Sequence, residues 1–358
     1  MVEVRKNLGH FQTYKVHKVV EHNLGDNENR LMDWGFLTKE VLKEVDPAVL
    51  SYYGDNKYAE LIATYAQYVG VEPNQVVQGV GSDMLIGQII TGFLNHDDIL
   101  LTLSPDFFMY GIHNDLHGSH METFSLEWTN GRPDFDPKPL LAYAKKVNAK
   151  MILLSNPNNP ASVSYDRKKL EEIVSGFDGL VVIDEAYIEF SNSISMADLT
   201  DKVDNLIVLR TLSKAFSLAG LRLGFAISNN RLARELDRIL PPYSMSNLVA
   251  YIGNAALAHR DKVEESVKQI CTIRDDFMDF LANLADVTVL PSQTNFVSFT
   301  ASFAEEIFQA GQDADFAFKY YKQGPMSNYI RMGIGREDEI DQMKSIIREV
   351  AQQHHLGE

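Results

Sequence analysis

Between residues 98 and 228 the chain repeats one pattern: a short apolar run, a turn signal, then a stretch spaced for an amphipathic helix. The apolar runs are DILLTL (98–103), AKMILLS (149–155), GLVVID (179–184), NLIVLR (205–210) and LGFAIS (223–228). Unbroken runs of this length predict strands buried on both faces. Between them, DRKKLEEIVSGF (166–177) has helical spacing, and so has the stretch at about 56–69, which Gly70 ends. Alternating β and α elements predict an α/β fold with a mostly parallel, doubly wound sheet. After about residue 245 the texture changes to a long helical region (246–284), then ADVTVLPSQTNFVSFTA, a helix, NYIRMGIG and a terminal helix. We therefore expect a large domain over 46–245 and a smaller α+β domain over 246–358, joined by residues 1–45. The boundary is expected near Pro241-Pro242.

Composition narrows the function classes. A charge of −16 with no long Lys/Arg run argues against general attraction to nucleic acid or anionic membrane. Any bound anion therefore needs a local pocket. No apolar run reaches about 18 residues, and MVEVRKNLGHFQ lacks a signal-peptide apolar core. Cys271 is the single cysteine, which excludes an intrachain disulfide and fits a reducing cytoplasm.

Ligands of open α/β sheets bind beyond the carboxyl ends of the strands, and unusual residues fall there. Asp184 directly follows an apolar run, with Tyr187 three residues on; alone, it reads first as a helix cap. MILLSNPNNPAS ends another run in an Asn/Pro turn. VVQGVGSDM sets Gly79, Gly81, Ser82 and Asp83 before a helix, offering backbone N–H groups to a phosphate. A dinucleotide fingerprint needs a glycine where Met84 stands. TLSKAFSLAGLRLGF (211–225) places Lys214 and Arg222 among small, hydroxyl and apolar residues.

In this order the segments resemble the fold-type I pyridoxal-phosphate aminotransferases, and within them the histidinol-phosphate aminotransferase branch. RTLSKAFSLAGLRLGF is similar to that branch's cofactor-lysine segment nearly residue for residue. The resemblance extends over NENR at 27, YGD at 53, GVGSDM at 79, PDFFMY at 105, NPNNP at 156, VVIDEAY at 181 and YIRMGIG at 329. It implies pyridoxal 5'-phosphate as cofactor and Lys214 as both its attachment point and the proton carrier at the substrate Cα. An apolar, cation-flanked setting lowers a lysine pKa as that role requires. It implies Asp184 against the ring nitrogen, Asn159 and Tyr187 at the ring oxygen, and Phe107 stacked on the ring, with Tyr110 matching a later aromatic. Ser82, Asp83, Thr211, Ser213 and Arg222 fall around the phosphate. Asp83 has the wrong charge for a direct side-chain contact. Tyr53 resembles the tyrosine that reaches a partner subunit's phosphate, which implies a homodimer. Arg331 matches the arginine that pairs with the substrate α-carboxylate, and Asn29 carries over as a substrate contact.

Three departures bear on substrate. Asn158-Asn159-Pro160-Ala161-Ser162 replaces the family's NNPTG, and Arg30 replaces a proline, which places a cation near the entrance. The branch also carries an arginine about 13 residues before the carboxylate arginine, to grip the substrate phosphate. Here that stretch, DFAFKYYKQGPMSNYIR, offers only Lys319 and Lys322. The implied reaction passes an amino group from an amino donor to a 2-oxo acid, expected to be 2-oxoglutarate. An aromatic amino donor stays open, as does decarboxylation of the threonine-phosphate type. His113, His117 and His120 have helical spacing, but no carboxylate with the spacing of a zinc site follows, and no metal is expected.

Overall fold

The computed structural model describes residues 20–45, 51, 53–54, 58–129 and 131–357, together with Arg5 and Leu8. Residues 1–4, 6–7 and 9–19 of the expected N-terminal arm, and residues 56–57 of the expected first helix, lie outside the described residues. Among the described residues seven strands form the central sheet: Val76–Gly79 (β1), Ile99–Ser104 (β2), His120–Ser125 (β3), Ala149–Ser155 (β4), Leu180–Asp184 (β5), Leu206–Thr211 (β6) and Gly224–Ser228 (β7). Their order is β1-β7-β6-β5-β4-β2-β3. Only β7 runs antiparallel to its neighbours.

The five apolar runs become β2, β4, β5, β6 and β7, each within one residue of the expected bounds. Helices cover both faces, and two apolar clusters fill the space above and below the sheet. The two unanticipated strands, β1 and β3, are the edges. Every residue of β3 is exposed or half-buried, so an unbroken apolar run is not required of it. Helix Arg167–Gly176 starts at Asp166, whose side chain accepts from Lys168 N. Helix Ala59–Val69 ends on Gly70 at φ 78°, the left-handed cap glycine favours. The expected long helix over 246–284 is two, Asn247–Ala258 and Arg260–Ala282, which meet at His259. Among the described residues no helix is long and apolar enough to cross a membrane.

The second sheet is antiparallel, with Val287–Val289 (β8), Phe296–Ala301 (β9), Lys319–Tyr321 (β10) and Tyr329–Gly333 (β11) in the order β8-β9-β11-β10. The N-terminal segment is stitched to this unit. His22–Asn23 pairs in parallel with Phe316–Ala317, and Gly333 N donates to Leu24 O at 2.7 Å. Arg30 does not stand at an entrance: its guanidinium reaches Glu339 Oε1 at 2.8 Å, and His22 Nδ1 meets the same oxygen at 3.0 Å. Glu339 is buried in the first turn of the terminal helix, so this cluster clasps residues 22–30 to the C-terminal unit.

One close approach fixes how the sheet meets the helix Gly81–Phe93. A Cβ on Gly224 would lie 2.4 Å from Ser82 N and 2.6 Å from Gly81 C. Both neighbours are backbone atoms and cannot swing aside. Gly224→Val is therefore expected to destabilise the protein by about 1–3 kcal/mol, read as a lowered denaturant midpoint at unchanged slope.

Candidate active site

At the carboxyl ends of β2, β4, β5 and β6 lies a cavity of about 1240 Å³. Side chains alternate along a strand, so at the end of β5 Asp184 and Glu185 part to opposite faces. Asp184 lines the cavity, whereas Glu185 is buried with Arg210 and Ser195. Burial raises the Asp184 carboxyl to about 6, although Ala186 N and the Tyr110 hydroxyl, each at 3.1 Å, donate to its oxygens and hold it down. Asp83 pushes it up further and Lys214 pulls it down.

Lys214 follows β6 and lines the cavity. Its Nζ donates to Asp26 O at 2.7 Å and lies 5.9 Å from the centre of the Tyr187 ring. Burial first, then the Arg331 charge, lowers its amine to about 8. An amine lowered this far gives up its proton much more readily than an ordinary lysine, as the apolar, cation-flanked sequence setting implies.

Ser82, Asp83, Thr211, Ser213 and Arg222 all border one end of the cavity. Thr211 Oγ1 and Ser213 Oγ are 3.0 Å apart, at the turn leaving β6. Ser82 and Asp83 stand in the first turn of the helix Gly81–Phe93, where backbone N–H groups have no helical acceptor. Gly81, at φ 77°, keeps that turn bare: a Cβ there would sit 2.8 Å from Arg222 Nη2. Bare amides, hydroxyls and one guanidinium form the donor set a phosphate monoester needs.

At the other end, Arg331 on β11 spans three parts of the chain. Its Nη1 donates to Asn159 Oδ1 at 2.7 Å, and its Nη2 donates to Gly25 O at 2.6 Å. Its guanidinium carbon lies 5.3 Å from the centre of the Phe296 ring. Lys319 on β10 is the register partner of Arg331. Directly opposed residues of an antiparallel pair share a face, and both line the cavity. Burial, then Arg331, lowers the Lys319 amine.

Other expected contacts fall elsewhere. Lys322 is exposed and pairs with Glu305 at 2.8 Å. Asn29 is buried outside the cavity, where its amide donates to Ala215 O and Ser266 Oγ; its expected substrate contact gives way to a structural one. Tyr53 is 78% exposed, its ring 4.6 Å from that of Tyr243, and it does not line this chain's cavity. Phe107 lines the cavity edge-on to Tyr110, with ring centres 5.6 Å apart. The three histidines do not converge: His113 meets Asp83, His117 stacks on His96, and His120 opens β3.

Among the cavity residues without an individual role in the sequence reading, Asp106, Asn27 and Tyr321 matter most. Asp106 accepts from Ser155 N at 3.2 Å and from Phe107 N at 2.8 Å, and burial pushes its carboxyl up to about 8. Asn27 donates to the Tyr187 hydroxyl at 3.1 Å. Tyr321 adds an aromatic wall beside Lys319. Tyr110, which the resemblance matches only as an aromatic, stands in the first turn of the helix Met109–His117 and donates to Asp184.

A doubly wound sheet with an enclosed lysine, a buried carboxylate and a bare helix start defines a cofactor-dependent transferase, and these groups fit pyridoxal phosphate. The chain belongs to the aminotransferase class I and II family, whose model matches residues 21–323. It is 31% identical over 336 residues to a histidinol-phosphate aminotransferase from Clostridium kluyveri, covering 94% of this chain and 95% of the relative. A histidinol-phosphate aminotransferase from Chlorobaculum parvum is 32% identical over 344 residues, covering 95% and 96%. Among solved structures, histidinol-phosphate aminotransferase from Sinorhizobium meliloti in complex with pyridoxal-5'-phosphate shares the fold at TM-score 0.84. That match has 24% identity and covers 93% of this chain and 92% of the other. The protein is a pyridoxal-phosphate-dependent transaminase.

Tyr110 gives the site a measurable handle. Its hydroxyl favours the ionised form of Asp184, so Tyr110→Phe raises that carboxyl further. The acid limb of the activity–pH profile is expected to move to higher pH by roughly one unit. An unmoved limb would show that Asp184 does not control it.

Proposed function

We propose that the enzyme transfers the amino group of histidinol phosphate to 2-oxoglutarate, working in the cytoplasm as a homodimer. The observation that carries this substrate is the register pairing of Lys319 with Arg331, which aims two cations at one end of the cavity. A single guanidinium suffices for a carboxylate. A phosphate dianion in one half-reaction and a carboxylate in the other are served by a fork plus a point charge. The likeness to curated histidinol-phosphate aminotransferases supports the same reading. The exposed Tyr53–Tyr243 pair supports the dimer, in which Tyr53 reaches the partner's phosphate site.

In this reading each residue has a defined task. Bound pyridoxal phosphate supplies a conjugated ring that takes up the electron pair left at the substrate Cα. Asp184 holds its negative charge against the ring nitrogen, and Asn159 and Tyr187 serve the ring oxygen. Lys214 would be the attachment residue, and its amine would move the proton at the substrate Cα. Phe107 would cover the ring, while Ser82, Thr211, Ser213, Arg222 and the backbone N–H of Asp83 would hold the phosphate. Arg331 and Lys319 orient the anionic end of the substrate.

Lys214→Ala is expected to abolish both turnover and the adduct that borohydride traps on the wild-type protein. Assayed with 2-oxoglutarate, the wild type is expected to prefer histidinol phosphate over free aromatic amino acids. Preference for an aromatic donor, or release of carbon dioxide, would overturn the substrate assignment while leaving the cofactor chemistry intact.

Lys319→Ala is expected to raise KM for histidinol phosphate by roughly tenfold with a smaller change in kcat, since it removes one charge-assisted contact. An unchanged KM would remove Lys319 from the anion clamp.

A further inference from the structure

Asp83 brings a carboxylate to the turn that receives the cofactor phosphate. A negative side chain there competes with an anionic ligand for the positive end of the helix. The structure places a partner on it. His113, from the helix Met109–His117, sets Nε2 3.0 Å from Asp83 Oδ1, with its own side chain only 10% exposed. An ionised carboxylate can only accept, so this ring nitrogen carries the proton and donates.

The contact is built into the packing of the two helices. Gly87 lies four residues after Asp83 and therefore on the same helix face. A Cβ on Gly87 would come within 2.7 Å of His113 Nδ1, so the glycine makes the seat in which the imidazole lies. Asp83 also pushes up the Asp184 carboxyl, so its charge is felt at the ring-nitrogen partner as well.

We propose that His113 is a positioning residue for the cofactor phosphate: seated on Gly87, it ties back the Asp83 carboxylate and offsets its charge, so that the helix start accepts a dianion. The proposal rests on the reading that Ser82, Thr211, Ser213 and Arg222 hold that phosphate. His113 need not touch the cofactor.

The test compares the affinity of the full-length protein for pyridoxal phosphate and for pyridoxal, which lacks the phosphate, by absorbance titration after cofactor removal. His113→Ala is expected to weaken pyridoxal phosphate binding about three- to tenfold, while pyridoxal binding stays within about twofold. The double variant Asp83→Asn/His113→Ala is expected to regain near wild-type affinity, because the charge to be offset is gone. Unchanged pyridoxal phosphate affinity in His113→Ala overturns the proposal. Equal loss for both ligands, or loss that Asp83→Asn does not rescue, also overturns it, since packing alone would then account for the effect. Arg222→Ala separates the layers: if it leaves pyridoxal phosphate affinity unchanged, the phosphate site itself is misassigned and the proposal falls with it.

Discussion

Lys214 and Arg331 share one enclosed space, and each is held by a neutral oxygen: Asp26 O at 2.7 Å from the lysine and Gly25 O at 2.6 Å from the arginine. Much else in the site depends on that choice of acceptor. A carboxylate directly against Lys214 would favour its charged form and raise its pKa. A carbonyl satisfies the donor without adding a full counter-charge, so burial and the arginine's charge prevail and bring the amine to about 8. A Schiff-base enzyme needs its lysine in that range.

The acceptors come from a segment far away in sequence, so the chemistry is conditional on how residues 22–30 are laid down. Strand pairing of His22–Asn23 and the bond from Gly333 N to Leu24 O set the register of this segment. Glu339 then anchors it through Arg30 and His22. Burial works against the Glu339 carboxylate, yet the bonds from His22 and Arg336 N and the charges of Arg30 and Arg336 leave its pKa lowered. A buried charge with a full set of partners is tolerable, whereas one stripped of a partner is costly. The clasp thus transmits the position of the terminal helix to the floor of the cavity. The same segment carries Asn27, which donates to the Tyr187 hydroxyl, so one strap touches the lysine, the arginine and the tyrosine.

What could be read from sequence divides along the range of the interactions. The interior strands were legible to within a residue because burial on both faces leaves an unbroken apolar run. Edge strand β3, with no buried residue, left no such trace. Within the site, residues on contiguous motifs were identifiable, and Asp184, Lys214 and Arg331 all reach the cavity. Pairings across long separations were not. Arg30 looked like a free entrance cation because its acceptor, Glu339, is 309 residues away. Asn29 looked like a substrate contact because nothing local shows that Ala215 and Ser266 use its amide. Lys319 and Lys322 were equivalent as sequence, and only the strand register, which places Lys319 opposite Arg331, separates them.

The cavity of so acidic a chain still has to receive anions, and the acid groups inside it show how that is arranged. Distant surface carboxylates are screened beyond a Debye length of about 8 Å at physiological salt, so the net charge of −16 matters less than the lining. Two carboxyls, Asp106 and Asp184, line the cavity; burial raises both, and the Asp184 charge raises Asp106 further. Burial takes Asp106 to about 8, whereas the Tyr110 hydroxyl and Ala186 N hold Asp184 near 6. At neutral pH the two environments therefore sort one proton onto Asp106 and leave one negative charge on Asp184. In the proposed role of Asp184 against the cofactor ring nitrogen that is the charge required, and a neutral neighbour adds none that would oppose a bound phosphate or carboxylate. Asp184 can thus be both buried and ionised because Ala186 N and the Tyr110 hydroxyl donate to its oxygens and the Lys214 charge favours the carboxylate.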